Sequence, residues 1–196
     1  MGEPIRSDRS IRLHDALTTY RWLLDNSTPP GEIIIAGDSS GGGLALAALL
    51  SLRDAGDPLP AGGILISPWA DLTLSSGSVV SKAKQDFILD IPHLKNMAAL
   101  YAGEHDLTNP LISPVFADLS GLPPLLIQVG SDETLLDDAA RIAANAEKAG
   151  VDVRLEFYQD MIHVFHMFPF FSETGQAFES IKDFSKNCLK ADSNNT

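Results

Sequence analysis

The strongest constraint on the fold is a short stretch in which an apolar run meets a cluster of glycine and serine. Three isoleucines at 33–35 lead into Gly37-Asp38-Ser39-Ser40-Gly41, and an alanine- and leucine-rich segment follows at 44–52. β-branched residues favour a buried, extended strand, glycines permit a tight turn, and the alanine- and leucine-rich composition favours a helix. The stretch therefore predicts a strand, a sharp turn with Ser39 at its apex, and a helix.

The turn fits the pattern G-x-S-x-G, in which a strained strand-to-helix turn lifts a serine hydroxyl clear of a sheet. A phosphate-binding loop is the main competing interpretation, because it uses the same small residues. Such a loop ends in Gly-Lys-Ser or Gly-Lys-Thr, and no lysine occurs between Glu32 and Lys82. The pattern thus favours a nucleophile at Ser39.

The rest of the chain alternates helical and strand patterns. Helices are predicted at 11–25, 91–102, 135–149 and 172–189, and strands at 63–67, 123–130 and 151–157, the last near a sheet edge. Strands that alternate with helices at this spacing form a parallel sheet with helices on both faces. We therefore predict a single α/β domain over 1–196, with disordered tails at 1–10 and 190–196 and an irregular stretch at 70–90.

Groups with catalytic chemistry follow three different strands of the predicted sheet. Ser39 ends the first strand, Asp132 and Glu133 follow the strand at 123–130, and His163 follows the last strand. Because chemistry in open α/β sheets collects at the carboxyl ends of the strands, we expect these groups to meet at one edge. Their chain order of serine, acid and histidine is the order that this kind of fold uses for acyl transfer.

Each of these residue types has a role in nucleophilic catalysis. A serine hydroxyl needs a neutral imidazole to accept its proton, and His163 would be that base. The imidazolium needs a carboxylate to orient it, and Asp132 and Glu133 both remain open for that role. The N–H of Ser40, which follows the nucleophile, is expected to donate a hydrogen bond to the developing oxyanion.

Several other side chains near these motifs need an interpretation. Trp69, and Val164 and Phe165 beside the histidine, are candidates for the wall of a substrate pocket. Asp137 and Asp138 open a predicted helix, and the helix dipole explains them.

The remaining histidines do not indicate a metal site. His166 lies three residues after His163, but no carboxylate or cysteine accompanies the pair at ligand spacing. His93 is assigned to the surface. We therefore expect neither a metal nor a cofactor.

Composition restricts the partners and the location. The 196 residues carry a formal net charge of −12, which disfavours nucleic acid and anionic membrane surfaces but suits a small neutral ester. The single Cys188 allows no internal disulfide and indicates a reducing compartment. The sequence shows no secretory signal pattern and no apolar run long enough to cross a bilayer, so we expect a cytoplasmic protein.

Four motifs along the chain carry a resemblance to a known family. They are Gly37-Asp38-Ser39-Ser40-Gly41-Gly42-Gly43, Ile66-Ser67-Pro68-Trp69-Ala70-Asp71, Gly130-Ser131-Asp132-Glu133-Thr134-Leu135-Leu136-Asp137-Asp138 and Met161-Ile162-His163-Val164-Phe165. Together they resemble the bacterial hormone-sensitive-lipase-like esterases of the α/β-hydrolase fold. The resemblance runs from about residue 15 to about residue 181 and implies a carboxylic-ester hydrolase that acts on short acyl esters.

The resemblance also implies roles for individual residues. It implies Ser39 as the nucleophile and His163, rather than His166, as the base. The family's acid opens an Asp-Pro-Leu-x-Asp motif, which corresponds to Glu133-Thr134-Leu135-Leu136-Asp137 in this chain. Glu133 is therefore the implied acid, with Asp132 as the alternative.

The sequence departs from that family upstream of the elbow. It contains no His-Gly-Gly segment, which in the family donates further N–H groups to the oxyanion, so it resembles the C-terminal half of the fold. The strand at 33–36 would then form an exposed apolar edge, which we expect a homodimer or larger assembly to bury. The alternative to an esterase is a weakly active or inactive module that self-associates or binds a partner. Acyltransferases and peptidases also use such a triad.

Overall fold

The computed structural model describes residues 8–191, so the predicted tails at 1–10 and 190–196 lie largely outside the described residues. Where they fall inside that range, at 8–10 and 190–191, the backbone is helical. The helices are α1 (Asp8–Asp25), α2 (Ser40–Ala55), α3 (Ser78–Ser81), α4 (Ile91–Ala102), α5 (Leu136–Lys148) and α6 (Ser172–Ala191). The strands are β1 (Ile34–Asp38), β2 (Gly62–Ile66), β3 (Leu125–Gly130) and β4 (Val153–Tyr158), with 3₁₀ turns at Pro30–Glu32, Pro114–Phe116 and Phe165–Met167.

The four strands form one parallel sheet in the order β1-β2-β3-β4, which confirms the predicted fold class. At the end of β1, Asp38 lies beside Ile66 of β2, which in turn lies beside Gln128 of β3. Gly130 at the end of β3 lies beside Tyr158 at the end of β4. The carboxyl ends of all four strands therefore share one edge of the sheet.

Helices cover both faces of the sheet, as predicted. Leu49 of α2 and Ile142 of α5 belong to one buried cluster with Ile127 of β3. On the opposite face, Phe184 of α6 packs in a second cluster with Leu126 of β3. Full burial of one such side chain stabilises the fold by about 1.5–3 kcal/mol. None of the described helices is both long enough and apolar enough to span a membrane.

The first strand is less buried than its sequence predicts. The expectation of a fully buried strand is wrong, because the residues of β1 are half-buried or exposed. β1 lies at the edge of the sheet, and within residues 8–191 no strand pairs with its outer side. An apolar groove of about 280 Å³ follows this side between α1 and α2, lined among others by Leu17, Tyr20, Ile35 and Leu44. The expected exposed apolar edge is thus confirmed.

The irregular stretch between β2 and α4 is held by the first turn of α5. Asp138 Oδ2 accepts the N–H groups of Ala70 and Asp71 at 2.9 and 2.8 Å, and Asp137 Oδ2 accepts the N–H of Ser78 at 2.8 Å. Asp138 is buried, and this burial raises the pKa of its carboxyl to about 7. The helix dipole is therefore not an adequate explanation of these two aspartates, because their carboxylates bond to a neighbouring loop.

Candidate active site

Ser39 occupies a strained turn between β1 and α2, as predicted. Its backbone has φ of +52° and ψ of −121°, a conformation that costs a non-glycine residue on the order of 1–3 kcal/mol. Two glycines leave space for this turn. A Cβ on Gly37 would lie 2.2 Å from the carbonyl oxygen of Gly41, and a Cβ on Gly42 would lie 3.0 Å from Cα of Pro68.

The three predicted catalytic groups meet at the carboxyl edge of the sheet. His163 Nε2 lies 2.9 Å from Ser39 Oγ, and His163 Nδ1 lies 3.0 Å from Glu133 Oε2. An ionised carboxylate only accepts hydrogen bonds, so Nδ1 carries the imidazole proton and Nε2 can accept the proton of the Ser39 hydroxyl. The arrangement has the connectivity of a nucleophile, a base and an orienting acid.

Glu133 is fully buried, and each of its oxygens has a partner. Oε2 faces His163, while Oε1 accepts the hydroxyl of Ser67 at 2.7 Å and the N–H of Gly130 at 2.6 Å. Burial raises the pKa of the Glu133 carboxyl above its ordinary value, and the hydrogen bonds from His163, Ser67 and Gly130 oppose that rise. The carboxylate is therefore held in one orientation by donors on three different segments.

Asp132, the alternative acid, points elsewhere. Its Oδ1 accepts a hydrogen bond from Lys82 Nζ at 3.2 Å, and its side chain is about a third exposed. Of the two carboxylates left open by the sequence, the structure places Glu133 against the histidine.

A cavity of about 400 Å³ opens in front of Ser39, between α1, α2 and α4. Its wall is mainly apolar and includes Trp69, Leu72, Met97, Leu111 and Ile112. Ser40 also lines this cavity. As the first residue of α2, its N–H has no acceptor within the helix, so it can bond to an oxyanion formed at Ser39.

Of the three residues predicted for the wall of a substrate pocket, Trp69 lines this cavity, whereas Val164 and Phe165 do not. Phe165 is fully buried, and its ring centroid lies 4.8 Å from that of Tyr158, the last residue of β4. Val164 has φ of +49°, and its N–H is directed to Ser67. Both residues hold the loop that carries His163, which explains why they face away from the cavity.

The helix α4 contributes lining residues that the sequence interpretation missed. His93, assigned to the surface, is exposed but borders the cavity together with Met97 and Tyr101. These residues are spaced at i, i+4 and i+8, so they lie on one face of α4. This periodicity can be read from the sequence and indicates a common face of α4. It does not show which part of the molecule that face borders.

The second histidine near the site has a different environment. His166 Nε2 lies 2.9 Å from Gln128 Oε1, and burial lowers the pKa of the His166 imidazole to about 4. Within residues 8–191, no group of three or more His, Cys, Asp or Glu is placed to hold a metal ion.

The parallel sheet, the serine elbow and the buried histidine and glutamate are together characteristic of the α/β-hydrolase fold. A family model described as the alpha/beta hydrolase fold matches residues 10–167. The chain belongs to this family, and within it to the bacterial hormone-sensitive-lipase-like esterases.

Relatives with known names support this assignment. The chain is 46% identical over 177 residues to an acetyl-hydrolase of Streptomyces hygroscopicus, covering 90% of this chain and 59% of that protein. It is 44% identical over 174 residues to an esterase of Acinetobacter venetianus, covering 85% of this chain and 55% of that protein.

Solved structures of esterases also support the assignment to this family. A crystal structure of EstE5 soaked with ethyl alcohol matches with a TM-score of 0.89 at 45% identity, covering 91% of this chain and 60% of that one. An esterase from the bacterial hormone-sensitive lipase family matches with a TM-score of 0.85 at 44% identity, covering 91% and 59%. The chain thus spans less than two thirds of the length of these relatives.

Proposed function

We propose that this chain hydrolyses carboxylic esters with short acyl groups. The observation that carries the proposal is the hydrogen-bonded series of Ser39, His163 and Glu133. Ser39 lines a mainly apolar cavity that could hold the ester. The acetyl-hydrolase and esterase names of two relatives support the same reaction. The formal charge of −12 favours an uncharged ester over an anionic partner such as nucleic acid or a membrane surface.

The first half of the reaction forms an acyl-enzyme. Ser39 Oγ attacks the carbonyl carbon of the ester while His163 Nε2 takes the hydroxyl proton. Glu133 stays ionised and stabilises the imidazolium through its Nδ1–H. The tetrahedral intermediate then expels the alcohol, which takes its proton from His163.

The second half returns the enzyme to its starting state. A water molecule attacks the acyl carbon, and His163 accepts one of its protons. The new intermediate collapses, the bond to Ser39 Oγ breaks, and His163 gives the proton back to that oxygen. The carboxylic acid leaves, and atoms and protons balance over the cycle.

The oxyanion of each intermediate needs N–H donors, and Ser40 supplies one at the amino-terminal end of α2. The sequence contains no His-Gly-Gly segment. Because the loss of one such donor costs about 10²–10³-fold in rate, we expect this chain to be slower than a relative with a full set of donors. The position of Ser39 and its base is unaffected by that difference.

Hydrolysis of p-nitrophenyl acetate by the purified chain tests the proposal, with butyrate and laurate esters to measure acyl-length preference. We expect turnover by the wild type that Ser39→Ala and His163→Ala reduce to the background rate, with acetate and butyrate preferred over laurate. Ser40→Ala is the matched control, because it keeps the backbone N–H and should retain most of the activity. Equal rates for the wild type and Ser39→Ala would contradict the proposal.

A second candidate function, a module that self-associates, is favoured by the open edge of β1. The C=O of Ile33 and the N–H of Ser39 bond to residues of the β2 segment. By the alternation of a parallel strand, the N–H and C=O groups of Ile34, Ala36 and Asp38 point away from β2. A strand of a second copy can pair with these groups and cover the apolar groove.

Light scattering over a range of protein concentrations tests this second candidate. We expect a homodimer or larger assembly, whether or not the chain is active. A monodisperse monomer at every concentration would contradict it. The single cysteine, with no disulfide partner in the sequence, supports a cytoplasmic location for either function.

A further inference from the structure

Ser67, the residue after β2, has two side-chain contacts that the reaction described above does not use. Its Oγ donates to Glu133 Oε1 at 2.7 Å and accepts the N–H of Val164 at 3.2 Å. Val164 follows His163 in the chain, so one hydroxyl contacts both the acid and the loop of the base. Ser67 is fully buried, and its own N–H donates to the carbonyl of Gln128 at 2.7 Å.

The backbone conformation of Ser67 indicates that a serine is present here because of its hydroxyl. Its φ is +45°, in the left-handed region where glycine is the least strained residue. Glycine, however, has no group that can donate to a carboxylate and accept from an N–H at the same time, whereas a hydroxyl can do both. Ser67 therefore retains a strained backbone conformation that glycine would relieve, and its hydroxyl makes the two contacts that glycine could not make.

Glu133 needs such a contact more than a shorter acid would. A glutamate has one more rotatable bond than an aspartate, so its carboxylate has more orientations to lose when it is fixed beside the histidine. Oε1 is held by the Gly130 N–H and by the Ser67 hydroxyl, which directs Oε2 to His163 Nδ1. The Ser67 hydroxyl also accepts the N–H of Val164, in the loop that carries the base.

We propose that Ser67 is a positioning residue, which fixes the Glu133 carboxylate against His163 and ties both to the end of β2. This inference rests on the proposed function, in which Glu133 orients the base. It does not make Ser67 a catalytic residue, because its hydroxyl faces the acid and does not reach the reacting atoms.

Ser67→Ala and Ser67→Gly test the proposal, since both remove the hydroxyl and the glycine variant also relieves the strained φ. We expect each to lower kcat about 10- to 100-fold with KM little changed, the effect of losing one hydrogen bond to a charged group. The Glu133 carboxyl then takes up a proton more readily, because Oε1 has lost a donor that opposed the rise of its pKa on burial. The acidic limb of kcat/KM should therefore move to higher pH.

A double-mutant cycle separates positioning from a general structural role. In a Glu133→Gln background, Ser67→Ala should lower kcat by less than about twofold, because the group on which Ser67 acts is already lost. Ser113→Ala is the matched control, since Ser113 is also a fully buried loop serine, whose Oγ accepts the N–H of Leu72. It should lower stability without moving the acidic limb. Additive losses in the cycle, or a wild-type acidic limb in Ser67→Ala, would overturn the proposal.

Proton NMR gives a readout that does not depend on turnover. The His163 Nδ1–H bonded to Glu133 should give a downfield resonance in the wild type that shifts or broadens in both Ser67 variants and stays in Ser113→Ala. An unchanged resonance in the Ser67 variants would overturn the positioning role. A wild type no faster than Ser39→Ala would contradict the proposed function instead, and the resonance would still decide on Ser67.

Discussion

Two regions of the same sheet differ sharply in how completely their polar groups are paired. At the carboxyl edge, both oxygens of the buried Glu133 are bonded, and the donors come from the last residue of β3 and from the segments after β2 and β4. At the outer side of β1, backbone groups of Ile34 and Ala36 point away from β2 and face no strand within residues 8–191. The hydrogen-bonded series of Ser39, His163 and Glu133 is thus fully paired, whereas the sheet that carries it is open on one side within residues 8–191.

The largest expected effect comes from a substitution of Glu133, the buried acid at the carboxyl edge. Glu133→Gln keeps the shape of the side chain but removes the charge that stabilises the His163 imidazolium, so kcat should fall about 10³- to 10⁴-fold. Steady-state kinetics with p-nitrophenyl acetate measures it. Asp132→Asn is the matched control, because that carboxylate bonds to Lys82, and its kcat should stay within about twofold of the wild type. A larger loss in Asp132→Asn than in Glu133→Gln would reverse the assignment of the acid.

The next effect concerns Asp138, whose burial makes the charged form of its carboxyl costly. Burial raises the pKa of Asp138 to about 7 from 3.8. The folded state therefore holds a proton that the unfolded state has released, and the free energy of unfolding should fall as pH rises from about 4 to about 7, by at most about 1.4 kcal/mol per pH unit. Urea unfolding at pH 5 and pH 8 measures this difference.

Asp138→Asn should reduce that pH dependence, because the amide oxygen can still accept the N–H groups of Ala70 and Asp71 but does not titrate. Part of the dependence should remain, since burial also raises the pKa of Glu133. Asp137→Asn is the matched control, and it should keep the pH dependence that comes from Asp138 because it leaves the buried carboxyl in place. Equal pH dependence in the wild type and Asp138→Asn would contradict the role of Asp138.

The smallest expected effect is at the open edge. Ala36→Lys places a charge on β1, where it should oppose pairing with a second copy and weaken self-association about tenfold, or 1.4 kcal/mol. Sedimentation velocity over a concentration series measures the change. Ala99→Lys, the same substitution at an exposed position of α4, is the control and should leave association unchanged. Equal association in both variants would show that copies meet through another surface.

The same contrast explains what the sequence could predict. The elbow at Ser39 and the three strand ends are local patterns, and a parallel sheet then brings Glu133 and His163 to one edge. The exposure of β1 depends on whether another strand lies at its outer side, and the isoleucines at 33–35 alone do not indicate whether one does. The inward direction of Phe165 follows from its contact with Tyr158, and the anchoring role of Asp138 follows from a loop about seventy residues away. Side-chain directions in loops depend on such distant partners.

Covalent labelling of Ser39 by a fluorophosphonate tests the central claim most directly, namely that this chain alone assembles a working nucleophile and base. Peptide mass spectrometry locates the label on the folded wild type, on Ser39→Ala and on His163→Ala. We predict one phosphonyl group per chain on the Ser39 peptide of the wild type, none there in Ser39→Ala, and much slower labelling in His163→Ala. A folded wild type whose Ser39 stays unlabelled, or labels as slowly as in His163→Ala, would contradict the account.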